Sequence, residues 1–267
     1  MEILCISDLH LDHNEKNLQT KLVQTLADFI NQAEVDIFLV AGDVAGTTQV
    51  GVNYLLDLQE KITAKILAVP GNHDCWTQTD SSWNEYNLFA KQSFSLISNP
   101  YVTGKIAIIG DLGWYDYAYG VGGYTKAHYA SWKDKHWVDG KYAHWGISDI
   151  ELVEVMIQKL EKQILEHQDK EIVFVCHTVP FKEFINYKSN NDEWNFCGAY
   201  FGCGALNKLV LKYQNIKTVV FGHTHFPSIQ TLYNKKAICN PLGYVFEWSN
   251  QTDFVAELES KKVILSL

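Results

Sequence analysis

Five short apolar runs in this chain each stop at residues that carry chemistry, and that arrangement narrows the possible folds more than any other feature. Glu2-Ile3-Leu4-Cys5-Ile6 stops at Ser7-Asp8-Leu9-His10, and the run over residues 36–41 stops at Gly42-Asp43. The run over 65–69 is ended by the turn signal Pro70-Gly71, after which Asn72, His73 and Asp74 follow at once. Residues 171–176 stop at His177, and residues 218–221 stop at Gly222-His223-Thr224-His225. Runs of this length bounded by Gly and Pro read as buried strands. Open α/β sheets gather their sites at the carboxyl ends of strands. Side chains at i and i+2 of an extended segment share a face, which predicts that Asp8 acts with His10, and His223 with His225. Carboxylate, imidazole and amide oxygen collected at one edge form a ligand set for divalent transition metals.

Between these runs the pattern turns helical. Residues 14–32 place Leu18, Leu22, Leu26 and Phe29 at helical spacing, and 49–61 and 81–94 read the same way. This β-α alternation predicts parallel strands joined by helical crossovers. Residues 101–110 hold two strand-like runs, 147–167 a long helix, and 204–213 a shorter one. The remainder reads as strand-rich, over 228–233, 236–240, 244–248, 252–258 and 263–267. No repeat or linker divides the chain, so one domain over 1–267 is expected.

Two segments break the alternation. Residues 111–145 are irregular and dense in Trp and Tyr, and 181–201 form a second aromatic stretch. Irregular loops above about 12–15 residues are uncommon and tend to be functional or disordered, and these are too aromatic for disorder. Both follow strands that end at the candidate site, so they are expected either to cap it or to pack as a satellite core.

Composition narrows the classes. A net charge of −9 argues against a general nucleic-acid binder, whose affinity rests on neutralising phosphates. Every basic residue is lysine, so no guanidinium fork is available to clamp a phosphate. The six cysteines lack C-x-x-C spacing and read as buried thiols. No apolar run approaches the roughly 18 residues that cross a bilayer, so no membrane association is expected. No basic leader precedes the first strand, and the cytoplasm is the expected address.

Taken in order, Asp8-x-His10, Gly42-Asp43, Gly71-Asn72-His73-Asp74, His177 and Gly222-His223-x-His225 resemble the calcineurin-like metallophosphoesterase superfamily over residues 8–225. Asp-x-His and Gly-Asp are weak signals alone, Gly-Asn-His-Asp is strong, and the ordered set is specific. The resemblance implies an α/β fold of two packed mixed β-sheets flanked by helices, a four-layer α/β/β/α sandwich. It implies two metal ions, with manganese, iron or zinc suited to such ligands. One would be held by Asp8, His10 and His225, the other by Asn72, His177 and His223, and Asp43 would bridge them. Hydroxide bridging the metals would attack the phosphoester, and His73 would contact a phosphoryl oxygen or protonate the leaving alkoxide.

Two departures from the family pattern bear on function. Many relatives carry an acidic residue three positions beyond the bridging Asp, where it can orient the catalytic histidine; here that position is Gly46. Asp74 neighbours His73, but adjacent side chains tend to diverge. The lack of arginine after both the Gly-Asp and the Gly-Asn-His motifs rejects the protein serine/threonine phosphatases, and Gly46 removes the tyrosine ligand of purple acid phosphatases. The expected substrate is a small organic phosphoester, a phosphodiester or nucleotide rather than a polymer. A phosphomonoesterase and a non-catalytic scaffold of the same fold are the alternatives.

Overall fold

The computed structural model describes residues 1–77, 80–249 and 252–267. The alternating segments build two β-sheets packed face to face. In one, β1 (Glu2–Ile6), β2 (Ile37–Ala41) and β3 (Lys65–Val69) run parallel. The other contains β4 (Tyr101–Thr103), β5 (Ile106–Gly110), β6 (Glu171–Val175), β7 (Ile216–Phe221), β8 (Ser228–Leu232) and β9 (Lys235–Cys239). Its order is β4-β5-β6-β7-β9-β8, with β5, β6, β7 and β9 parallel. β10 (Ile264–Ser266) closes the first sheet by pairing antiparallel with β1.

Period-2 alternation divides the central strands between two cores. Ile3, Cys5, Ile37, Leu39, Leu67 and Val69 meet Ile108, Val173, Val175, Val220 and Ile238 between the sheets. Leu4, Ile6, Phe38, Val40, Ile66 and Ala68 turn the opposite way, into the core beneath the helices. Both faces are buried, which is why these strands read as continuous apolar runs rather than as alternating ones. The expected sandwich of two mixed sheets with helices outside is the observed fold.

The helices depart from expectation in four places. Residues 14–32 form two helices, α1 (Leu11–Leu18) and α2 (Val23–Gln32), because Gln19 turns left-handed at φ 53°. The buried Glu15 carboxylate holds that corner, accepting from Leu22 N–H at 2.9 Å and from the Tyr54 hydroxyl at 2.8 Å. Helices α3 (Thr48–Gln59) and α4 (Ser82–Ala90) follow close to their expected places. Residues 111–145 are irregular only in part, since α5 (Lys126–His136) and α6 (Val138–Tyr142) lie within them. The long α7 (Asp149–Glu166) starts at a capping box of Ser148 and Glu151. After α8 (Asp192–Cys197) and α9 (Gly204–Lys212), residues 252–258 are not a strand. There α10 (Phe254–Ser260) is capped by Asp253, with Phe254 and Leu258 buried one turn apart. Residues 244–248 likewise form a tight helical turn, Val245–Glu247, rather than a strand.

All six cysteines are buried and unpaired, as expected for core thiols. Among the described residues, no helix is long and apolar enough to cross a membrane.

Candidate metal centre

Strands β1, β2, β3, β6 and β7 all deliver their carboxyl ends to one edge, where backbone bonds tie neighbouring strand ends within each sheet and, at Ser7 and Asn240, one sheet to the other. Ser7 N–H donates to the Asn240 carbonyl at 3.0 Å, Asp8 N–H to Gly42 at 2.9 Å, and Gly222 N–H to His177 at 3.0 Å. Gly42 and Gly71 are required by the crowding. Gly42 has φ 88°, and a Cβ there would strike the His177 ring, while one on Gly71 would strike the Asp43 carboxylate.

The chain bends sharply as it leaves the strands. Asp8, His10, Asp43, His223 and His225 all have positive φ, from 42° to 75°. A non-glycine residue in that region costs of order 1–3 kcal/mol, and such residues cluster at functional sites. The expectation of an extended i, i+2 pairing is corrected here. Asp8 and His10 do converge, but through left-handed turns, and His223 and His225 point into different groups.

Those groups are well defined. Donor atoms of Asp8, His10 and His225 lie together, as do those of Asp43, His177 and His223, and a third set joins His10, Asp43 and His73. His10 Nε2 and His225 Nε2 stand 3.1 Å apart, and Asp8 Oδ1 is 3.4 Å from the latter. Asn72 Oδ1 is 3.1 Å from both His177 Nε2 and His223 Nδ1. Asp43 Oδ2 sits between the clusters, 3.3 Å from His177 Nε2 and 3.9 Å from His10 Nε2.

The outer nitrogens of three rings are already committed. His177 Nδ1 meets the Ala41 carbonyl at 2.9 Å, His223 Nε2 the Tyr200 carbonyl at 3.0 Å, and His225 Nδ1 the Glu247 carboxylate at 2.7 Å. Protons held on those outer nitrogens leave lone pairs aimed inward, where they face one another and Asn72 Oδ1. Inward-facing lone pairs on buried groups are the donor set of a metal site, so the residues fit divalent ions.

Without metal, protons take that place. Burial pushes His177 down, but the Asp43 and Asp8 carboxylates outweigh it and hold the imidazole up at about 9. Burial likewise opposes Asp8 and Glu247 at His225, which stands at about 10. Asp43 is held well below the usual carboxylate range, against its burial, by the charges of His177 and His73. Burial lowers His10 and His73, and burial with the neighbouring His177 lowers His223 to about 4.

His73 sits at the mouth of the centre. Its N–H donates to Asp43 Oδ1 at 3.0 Å, and its ring stacks on Trp76 with centroids 3.6 Å apart. Asp74 does not support it. That buried carboxylate faces the N–H groups of Gly71, Val44 and Ala45, and burial together with Asp43 raises it to about 7. Asp12 accepts from Gly46 N–H at 3.1 Å. His13, His128, His136, His144 and His167 enter none of the metal-ligand groups found among the described residues.

A cavity of about 420 Å³ opens over the centre, walled by Trp76, Trp137, Phe201 and Tyr244. Trp137 and Phe201 border α6 and the second aromatic stretch, so both segments reach the site. No lysine is among the described residues lining this cavity. Lys133 of α5 does not face it, because its ammonium is buried against Asp149 at 2.8 Å. Trp114 is also core rather than wall, fully buried with its Nε1–H on Asp149. Tyr244, Glu247 and Asp139 escaped the sequence reading, since none lies beside a strand-end motif.

The family profile described as calcineurin-like phosphoesterase matches residues 1–227. Over 95 residues the chain is 40% identical to the [acyl-carrier-protein] phosphodiesterase PptH of Mycobacterium tuberculosis, a match spanning 35% of this chain and 26% of that protein. The crystal structure of phosphopantetheinyl hydrolase (PptH) from Mycobacterium tuberculosis superposes with TM-score 0.72 at 20% identity, covering 95% of this chain and 93% of that one. A dimetal phosphatase from Danio rerio superposes with TM-score 0.59 at 12% identity, covering 94% and 89%. At such identities the superpositions bear on fold alone.

Proposed function

The chain belongs to the calcineurin-like phosphoesterases and is a metal-dependent phosphoric ester hydrolase; from that premise we propose that its substrate is a small organic phosphodiester. The observation that carries this reading is the cavity over the centre, aromatic-walled and with no lysine among the described residues that line it. A monoester brings two negative charges to such a site and a diester one. With no lysine beside the centre's own imidazoles among the described lining residues, the singly charged ester is favoured, and the rings offer faces for its organic arm.

In this reading Asp8, His10 and His225 hold one ion, Asn72, His177 and His223 the other, and Asp43 reaches both. Manganese, iron or zinc suits the donors. Two ions bound there supply Lewis acidity and a hydroxide nucleophile near neutral pH. Asp43 Oδ1 accepts from the backbone N–H of His73, and the imidazole would contact a phosphoryl oxygen or protonate the departing alkoxide. Trp137 and Phe201 exclude water from one side and orient the organic group. The chain acts as a single domain over 1–267, with residues 111–145 and 181–201 as its cap. Six reduced cysteines suit a cytoplasmic setting.

A second reading, a diester linking a small arm to a carrier protein, is favoured by the partial identity with the acyl-carrier-protein phosphodiesterase. The test is a substrate panel after chelation and after manganese is restored. It comprises chromogenic di- and monoesters, cyclic nucleotides, dinucleotides, a phosphopantetheinylated carrier protein, phosphopeptides and single-stranded DNA. Small diesters should give the highest kcat/KM, and the carrier protein would support the second reading. A monoester or phosphopeptide in first place would overturn both, and two bound metals with no hydrolysis of any substrate would point to a scaffold.

A further inference from the structure

Asp139 lies in the first turn of α6, distant in sequence from every strand-end motif, and it is fully buried beside the centre. Its Oδ1 accepts from Asn72 Nδ2 at 2.9 Å and from Trp76 Nε1 at 2.7 Å. Its Oδ2 accepts from the Tyr115 hydroxyl and from Trp137 Nε1, each at 3.1 Å. Such a carboxylate accepts and does not donate. The amide of Asn72 therefore has one permitted orientation, nitrogen towards Asp139 and oxygen towards His177 and His223. The same oxygen pins the indole of Trp76, on whose face His73 is stacked.

Resting on the metal assignment above, we propose that Asp139 is the positioning residue of this centre, aiming Asn72 at one metal and, through Trp76, holding the His73 ring. It supplies from the cap what Gly46 and Asp74 do not supply from the strand ends. Asp111 and Asp149 are buried carboxylates of the same region, but their partners are Tyr86 and Lys159 for the one and Trp114, Tyr117 and Lys133 for the other. Neither touches the centre's ligands. Asp139 alone among the three joins a ligand, the candidate acid and the wall of the cavity.

The test is calorimetric titration with Mn²⁺ alone, alongside steady-state kinetics on a chromogenic diester, for the wild type, Asp139→Asn and Trp76→Phe. Asp139→Asn keeps the shape but sets an N–H against donors. It should leave one Mn²⁺ at wild-type affinity and weaken the other by about 10–100-fold, the usual effect of losing an outer-shell partner. Trp76→Phe keeps a ring face without its anchor. It should bind both ions normally and lose at least about tenfold in kcat, more than any change in KM, a part of the about 10²–10⁴-fold worth of a positioned acid. Asp139→Asn with both affinities unchanged, or with both lowered alike, would overturn the proposal, as a purely structural role predicts. Trp76→Phe with unchanged kcat would overturn its His73 half. A wild type that binds fewer than two Mn²⁺ would overturn the metal assignment and this inference together.

Discussion

Glu247 and His225 form a carboxylate–imidazole pair 2.7 Å long, and the far nitrogen of that imidazole faces Asp8. Glu247 also accepts from Tyr244 N–H at 2.8 Å, so one side chain sets the tight turn and the ring together. Glu247→Gln should preserve the turn but weaken the charge on the ring. The expected loss is about 10–100-fold in affinity for the metal that Asp8, His10 and His225 would hold, read by Mn²⁺ titration. Unchanged affinity would show that the pair only shapes the turn.

Asp43 reaches both clusters, whereas His10 belongs to one. Asp43→Asn is therefore expected to lower affinity for both ions, and His10→Ala to lower it for one. Metal content per chain after gel filtration separates the two outcomes.

His73→Ala should retain both metals and lose about 10²–10⁴-fold in kcat. If the variant lost metal as well, the cluster of His10, Asp43 and His73 would be a ligand set in its own right.

Metal binding and proton binding compete at His177 and His225, whose metal-free imidazoles stand at about 9 and about 10. Both lie above the ordinary value, so their contribution to metal-free stability is complete below about pH 6.5 and fades as pH rises through 9 to 10. Mn²⁺ affinity should move the opposite way, rising from pH 6 to 9 as the ions displace those protons. Titrations in two buffers of different ionisation enthalpy would count the protons released. Affinity independent of pH would contradict the arrangement.

Trp137 and Phe201 are the walls to remove, rather than Trp114, which is buried in the core. Each alanine variant should raise KM for the preferred small diester by about 5- to 150-fold, equivalent to about 1–3 kcal/mol per stacked ring. An unchanged KM would confine these rings to packing.

The sheets and the clustering of strand-end residues were legible because β1, β2, β3, β6 and β7 are buried on both faces and each is followed at once by candidate ligands. Local sequence carried both signals. Asp139 and Glu247 were not legible, since their partners Asn72 and His225 are brought to them only by tertiary packing. The break at Gln19 was hidden because Leu18 and Leu22 keep helical spacing across the corner that Glu15 caps. In α10 the apolar residues Phe254 and Leu258 sit one turn apart in a segment too short for periodicity to decide. The N-cap Asp253 was the available signal.

The left-handed backbone at Asp8, His10, Asp43, His223 and His225 sets stability and catalysis against each other at the same five positions. Glycine, or asparagine in part, would relax that backbone wherever it replaced them. Selection for thermostability alone, in the laboratory or in a lineage released from its substrate, would therefore tend to erode this centre first. The fold would survive as a more robust protein without its chemistry.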